Sequence, residues 1–295
     1  MSACTRLQRC ASVGSDRAHN LASEMEEKNN GAVGSARVLW SSPGSGTSWL
    51  RILLELATGR STGSVYKGDR SERHFCPGID PCRSSMVVKT HFAHDAECDR
   101  QLLGRSRILL VRNPYNAMWS EYQRVAAATK QRHRGRAAVN GSNSHTAYIT
   151  SLGIVHLHYL LFQAKKWQDI TSRQRHFAAN AASGMVHWVF YEDLRDPRRR
   201  ISTLQRVAMF AGVAVSEERA ACAFNYSDVR GVHRQAEFTA SQALAAAEQE
   251  RARAAAHGTV RAGNEDNVYE VLWKILHAEA RFFGYGPLNV SGIGT

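Results

Sequence analysis

No stretch of this 295-residue chain reaches the roughly 18 to 20 consecutive apolar residues that a membrane span requires. The N-terminus, MSACTRLQRCASVGSDRAHN, lacks the uninterrupted apolar core of a signal peptide. As written, the chain is therefore expected to be soluble, and cytoplasmic on that reading. Six cysteines do not make a disulfide framework. Cys76 and Cys82 bracket the loop CPGIDPC and can close it with a stabilisation of roughly 2 kcal/mol; free thiols are the alternative. A zinc site needs two further ligands at sensible spacing, and none is there. His156 and His158 likewise lack a third ligand nearby, so packing or surface roles are expected for them. Acid is missing altogether from Gln123 to Gln168, where Arg124, Lys130, Arg132, Arg134, Arg136, Lys165 and Lys166 are all basic. This stretch reads either as a solvated insertion or as a positively charged rim for an acidic acceptor.

The formal net charge is +12, from 38 basic and 26 acidic residues, which points to an anionic ligand. No helix-turn-helix, zinc-finger or RNP signature accompanies that charge, so no specific nucleic-acid partner is expected. Residues 1–35, rich in Ser, Gly, Asn and charge without periodicity, read as a disordered tail. Residues 36–288 read as one domain and 289–295 as a short C-terminal tail.

The stretch Arg37 to Gly59, RVLWSSPGSGTSWLRILLELATG, reads as strand, tight loop, helix. Val38, Leu39 and Trp40 suit a buried strand, and Ser41 to Gly46 tolerate turning. From Thr47 the apolar residues Trp49, Leu50, Ile52, Leu53, Leu56 and Ala57 recur at helical spacing, with Arg51 and Glu55 on the other face and Gly59 as the stop. Backbone N–H groups at the start of that helix, with the hydroxyls of Ser45, Thr47 and Ser48, make an anion site. A nucleotide-hydrolysing loop would place a lysine directly after Gly46, and this chain has none, which argues against ATP chemistry.

Further strands are expected at Met86 to Val88, running into Lys89-Thr90-His91, at Arg107 to Val111, and at Val186 to Tyr191. Ser61 to Ser85 reads as a polar loop and no core element. Pro114 opens a helix with Asn113 as its N-cap. Ile149 to Trp167 reads as a helix, and Asp196-Pro197 is expected to cap one running to about Ala211. Ser216 caps another, Ala240 to Ala256 is alanine-rich and helical, and Asn267 to Phe283 forms the last. Asp228 to Gln235 reads as a polar basic loop. Strands alternating with helices predict an α/β fold: three α/β/α layers around a central parallel sheet, P-loop-like in its opening unit. The ends of those strands gather Ser42 to Ser48, Lys89 to His91, Arg112 and Tyr191 on one rim.

His91, with an ordinary pKa near 6.5, is suited to accept a proton from an attacking hydroxyl, and Lys89 on the same strand face to stabilise charge on a transferred group. No carboxylate stands where a magnesium ion would be held, because RILLV runs into Arg112. Metal-free group transfer fits these residues better than nucleotide hydrolysis.

With those motifs assembled, the chain resembles the sulfotransferases that use 3′-phosphoadenylyl sulfate (PAPS), and most the WSC-domain-containing branch, without a WSC domain in these residues. Pro43-Gly44-Ser45-Gly46-Thr47-Ser48-Trp49 is similar to the loop that binds the 5′-phosphosulfate in that family. Lys89-Thr90-His91 matches its catalytic-base motif, and Arg112 and Ser120, eight apart, match its 3′-phosphate motif. Phe190-Tyr191-Glu192-Asp193 looks like the strand whose tyrosine lies near the adenine, and Arg230-Gly231 resembles a late loop of the family more weakly. The resemblance implies PAPS as co-substrate, no metal, and transfer of a sulfuryl group to an acceptor alcohol, expected to be a carbohydrate. It implies that Thr47 and Ser48 hold the phosphosulfate, Trp49 and Tyr191 the adenine, and Arg112 and Ser120 the 3′-phosphate. It also suggests the Golgi lumen for a form that carries a targeting segment. The departure is Gly44, where cytosolic members carry a lysine and many Golgi members an arginine. Losing such a cation costs on the order of several kcal/mol of transition-state stabilisation, and Lys89 and Arg51 are the two residues in reach to substitute. A protein that binds the nucleotide or a sulfoglycan without catalysing is the alternative that Gly44 motivates.

Overall fold

The computed structural model describes residues 36–66, 85–91, 104–125, 145–229 and 268–287. The chain divides into two compact units: Met1–Arg112 with Arg173–Gln235, and Asn113–Ser172 with Ala236–Thr295.

The first unit is built on a five-stranded sheet. Its strands are β1 (Arg37–Ser41), β2 (Thr62–Ser64), β3 (Val87–Thr90), β4 (Arg107–Val111) and β5 (Val186–Phe190). They lie in the order β2-β3-β1-β4-β5, and every pairing is parallel. A parallel sheet needs cover on both faces. On one face Leu39, Val87, Ile108, Leu110 and Val189 pack with Leu50, Leu53 and Leu54 of α1 (Thr47–Thr58), Leu204 and Val207 from Arg200–Phe210, and Phe224 from Glu217–Val229. The other face meets residues 173–180 of a long helix, α3 (His145–Asn180). There the Gln174 amide donates to the Trp40 carbonyl at 2.8 Å, and Phe177 sets its ring edge-on to Trp40. Arg107 lies with its guanidinium carbon 3.9 Å from the Phe177 ring centroid. The expected three-layer α/β/α architecture around a parallel sheet is therefore present.

Several elements differ from the sequence expectation. Thr62-Gly63-Ser64, assigned to a polar loop, is an edge strand with all three residues buried. It has no apolar side chain to announce it, and charge holds it instead. Arg51 and Glu55, expected on the exposed face of α1, are buried. The Glu55 carboxylate accepts from the Thr62 N–H at 2.8 Å and from its hydroxyl, while the Arg51 guanidinium donates to the Thr62 hydroxyl at 2.9 Å and carbonyl at 3.1 Å. α3 runs well past Trp167, because Gln174 and Phe177 bury against the sheet although the segment is largely polar. Tyr191 does not end β5 but opens the short helix α4 (Tyr191–Arg195). After α4, Asp196 turns the chain by accepting from the Arg198 N–H through its carboxylate and from the Arg200 N–H through its carbonyl, so α5 (Arg200–Phe210) starts there rather than at Pro197. Asp228 and Val229 belong to α6 (Glu217–Val229), which Ser216 caps by accepting from the Arg219 N–H at 3.3 Å. Cys222 on α6 is disulfide-bonded. The expectations for Cys76 and Cys82, Ala240 to Ala256, Arg230 and Gly231 lie outside the described residues, as do the two tails and residues 126–144 of the acid-free stretch.

In the second unit, residues 114–125 form α2. Asn113 caps it as expected, its side-chain oxygen accepting from the Tyr115 and Asn116 N–H groups at 3.1 and 3.3 Å. Tyr122 stacks on Trp119 and meets Tyr159 of α3 at a tilt. Burial, reinforced by the Glu121 carboxylate, pushes the Tyr159 phenol up to about 12. α7 (Val268–Phe282) is the last helix, close to the expected bounds. Among the described residues no helix is long and apolar enough to cross a membrane.

His187 on β5 stacks on Phe210 of α5. Burial, and then the Arg206 guanidinium, push its pKa below the ordinary imidazole value. The unfolded chain therefore binds a proton there more readily than the folded one. The stability contributed by the neutral ring is complete above the unfolded pKa of about 6.5 and is lost as pH falls through the lower folded value. Chemical denaturation followed from pH about 7 down to about 5 is expected to show a falling midpoint, with a shallower slope for His187→Phe.

Candidate functional site at the ends of the parallel strands

The loop between β1 and α1 is shaped by two left-handed glycines, Gly44 at φ 78° and Gly46 at φ 90°. Gly46 occupies the N-cap of α1 and no side chain caps the helix. The first N–H groups of a helix have no intrahelical acceptor, so those of Thr47 and Ser48 face outward with the positive end of the helix dipole behind them. The first turn carries no acidic residue. The neighbouring hydroxyls are organised in pairs, Ser42 with Ser45 at 2.7 Å and Ser41 with Thr47. Donors and dipole together suit a phosphate or sulfate group, which is the fit a phosphosulfate requires.

β3 brings two more groups to the loop. Lys89, only 8% exposed, reaches Ser48 Oγ with Nζ at 3.2 Å. His91, one residue past the strand, sets Nδ1 2.9 Å from the Ser41 carbonyl. A carbonyl only accepts, so Nδ1 carries the hydrogen and Nε2 is the basic nitrogen. The imidazole also lies against Tyr66, whose hydroxyl accepts the His91 N–H at 2.9 Å. Tyr66 follows the unforeseen strand β2 and carried no signal of its own in the sequence.

Arg112, at the end of β4, turns back over the loop. It donates to the Gly44 carbonyl at 2.8 Å and stacks its guanidinium 4.0 Å from the Tyr191 ring centroid. Lys89 and Arg112 therefore bring two buried cations to the loop where Gly44 supplies none. Arg51, the other residue expected in reach of it, is instead bound to Thr62 of β2. Tyr191 is 2% exposed and Trp49 6%. Trp49 donates from Nε1 to Ser227 at 2.7 Å and packs on Phe224 and Tyr191. The two rings expected to meet an adenine are thus packed in the core beneath the loop, because the first turn of α1 turns Trp49 inward. Ser120 lies half-buried on α2 in the second unit. Among the described residues no group of three or more His, Cys, Asp and Glu side chains is placed to hold a metal ion.

A Cβ at Gly46 would stand 2.6 Å from the Cδ2 and Cε2 atoms of Tyr191. Gly46→Ala therefore combines a left-handed backbone with overpacking and is expected to cost about 3 kcal/mol. Urea denaturation of Gly46→Ala, Tyr191→Leu and the double variant checks this. The two costs should sum to less than additive, because the smaller side chain relieves the clash.

No family model matches the chain. It is similar to three curated WSCD family members. With the protein CG9164 of Drosophila melanogaster it shares 31% identity over 187 residues, covering 63% of this chain and 53% of the relative. With AAEL009094 of Aedes aegypti it shares 32% over 203 residues, covering 67% and 56%. With GA21586 of Drosophila pseudoobscura pseudoobscura it shares 32% over 193 residues, covering 63% and 53%. The match thus spans a little over half the length of these relatives. Among solved structures, the sulfotransferase domain of the Synechococcus PCC 7002 olefin synthase aligns with a TM-score of 0.44 at 15% identity, covering 85% of this chain and 94% of that one. The chain is thus similar in sequence to WSCD family members over about two thirds of its own length.

Proposed function

We propose that this protein is a PAPS-dependent sulfotransferase that moves a sulfuryl group to an acceptor hydroxyl of a carbohydrate. One observation carries the reading: Lys89 and His91, from the end of β3, stand beside the uncapped N-terminus of α1, Lys89 on Ser48 and His91 on Ser41. A cation, a proton acceptor and helix N–H donors gathered at one loop support this reading. The ordered motifs of the sequence and the similarity to WSCD family members support the same class.

The co-substrate supplies an activated sulfuryl group. His91 Nε2 accepts the proton of the acceptor hydroxyl as its oxygen bonds to sulfur. The bond from sulfur to the bridging oxygen breaks, and the charge left on the departing phosphate is met by Lys89 and by the Thr47 and Ser48 N–H groups. Arg112 supplies further positive charge beside Gly44. Gly44 itself sits at φ 78°, where a residue with a Cβ is disfavoured by about 1 to 2 kcal/mol. The loop in this backbone thus takes its cations from neighbouring strands.

The reading is tested by titrating 3′,5′-ADP and by following label from PAPS into a glycan panel. Binding with turnover is expected; failure to bind 3′,5′-ADP and absence of transfer overturn it. His91→Ala should lower kcat by about 100-fold or more, the range of a lost general base. Its affinity for 3′,5′-ADP should stay within about threefold of wild type, since His91 is assigned to proton transfer rather than to the nucleotide. Peptide mapping without reductant should recover Cys222 in a cross-linked peptide.

A further inference from the structure

We infer that Tyr66 is a positioning residue that holds the His91 imidazole in its working plane and tautomer, an inference that rests on the reading of His91 as proton acceptor. His91 is the first residue beyond β3, where ladder pairing has ended, and its N–H donates instead to the Tyr66 hydroxyl at 2.9 Å. The rings of the two residues lie nearly parallel, 27° between planes, with centroids 5.5 Å apart. Nδ1 then meets the Ser41 carbonyl at 2.9 Å. Backbone, ring face and one ring nitrogen are thus each restrained, by Tyr66 and Ser41, which follow and end the two strands that flank β3.

The position of Tyr66 is itself dictated by β2. The Val65 N–H donates to the Lys89 carbonyl at 3.1 Å, continuing the parallel pairing of β2 with β3, and the Tyr66 N–H turns to Ser64 Oγ at 3.2 Å. The edge strand therefore delivers an aromatic ring to His91. A proton acceptor whose ring is fixed before substrate arrives needs no reorganisation at the moment of transfer, and misplacement by about 1 Å is worth about 100-fold in rate. The hydroxyl and the ring make separate contributions, which two variants separate: Tyr66→Phe keeps the ring and removes the acceptor of the His91 N–H, and Tyr66→Leu removes both.

The experiment records the His91 tautomer by long-range proton–nitrogen correlation in labelled full-length protein, with kcat, acceptor KM and 3′,5′-ADP affinity for each variant. Wild type is expected to show hydrogen on Nδ1. Tyr66→Leu should shift His91 toward hydrogen on Nε2 and lower kcat by about 10- to 100-fold, with 3′,5′-ADP affinity within about threefold. Tyr66→Phe should hold the wild-type tautomer and lower kcat by about 3- to 10-fold, and that loss of rate carries the test alone if the leucine variant fails to fold. A wild-type tautomer and kcat in Tyr66→Leu, or a Tyr66→Phe that alters neither tautomer nor rate where the leucine variant does not fold, overturns the inference. A tautomer that shifts in Tyr66→Leu, in a protein that binds no 3′,5′-ADP, upholds the positioning role and removes the sulfotransferase reading instead.

Discussion

Parallel pairing between β1 and β3 sets the geometry on which the rest of the site depends. With Leu39 opposite Lys89 and Trp40 opposite Thr90, the next residues along, Ser41 and His91, emerge side by side at the same end of the sheet. The β1 chain turns there into the glycine-rich loop that leads into α1, and the β3 chain delivers a cation and an imidazole to it. Neither strand makes the site by itself. A slip of one residue in this register would turn Lys89 to the opposite face of the sheet.

The loop is shaped by close packing beneath it together with its own glycines. Gly46 lets the chain pass over the edge of Tyr191, and Tyr191 offers its ring to Arg112, which in turn grips the Gly44 carbonyl. A guanidinium stacked on an aromatic face and bonded to a carbonyl is held at low entropic cost. The same arrangement takes Tyr191 and Trp49 out of reach of solvent. The aromatic residues near the loop therefore act as a floor that fixes cation and backbone.

Charge also does structural work where apolar residues are missing. Arg51 and Glu55 are buried in α1, and both bond Thr62. Burying such groups is tolerated only where hydrogen bonds replace their lost hydration. Removing either would leave its partner group at Thr62 short of a bond inside the protein. Through β2 these two side chains also bear on His91, because the residue that stacks on the imidazole follows that strand.

Much of this was legible in the residues alone. Short apolar runs marked β1, β3, β4 and β5, since the strands of a buried parallel sheet are apolar on both faces. The glycine-rich turn marked the loop, Asn113 and Ser216 marked their helix starts, and the run Lys89-Thr90-His91 marked the end of β3. Local chemistry specifies all of these. The chain alone did not reveal β2, the inward turn of Trp49, the C-terminal part of α3, or the role of Tyr66. Each of those depends on a partner distant in sequence: Thr62 on Arg51, Glu55 and Val87, Trp49 on Ser227, Gln174 on Trp40, and Tyr66 on His91. The sequence determined which groups this protein carries to the rim of its sheet. Tertiary structure decided which of them gather around the loop and which are consumed in holding the others, because burial and hydrogen bonding between remote segments have no local signature.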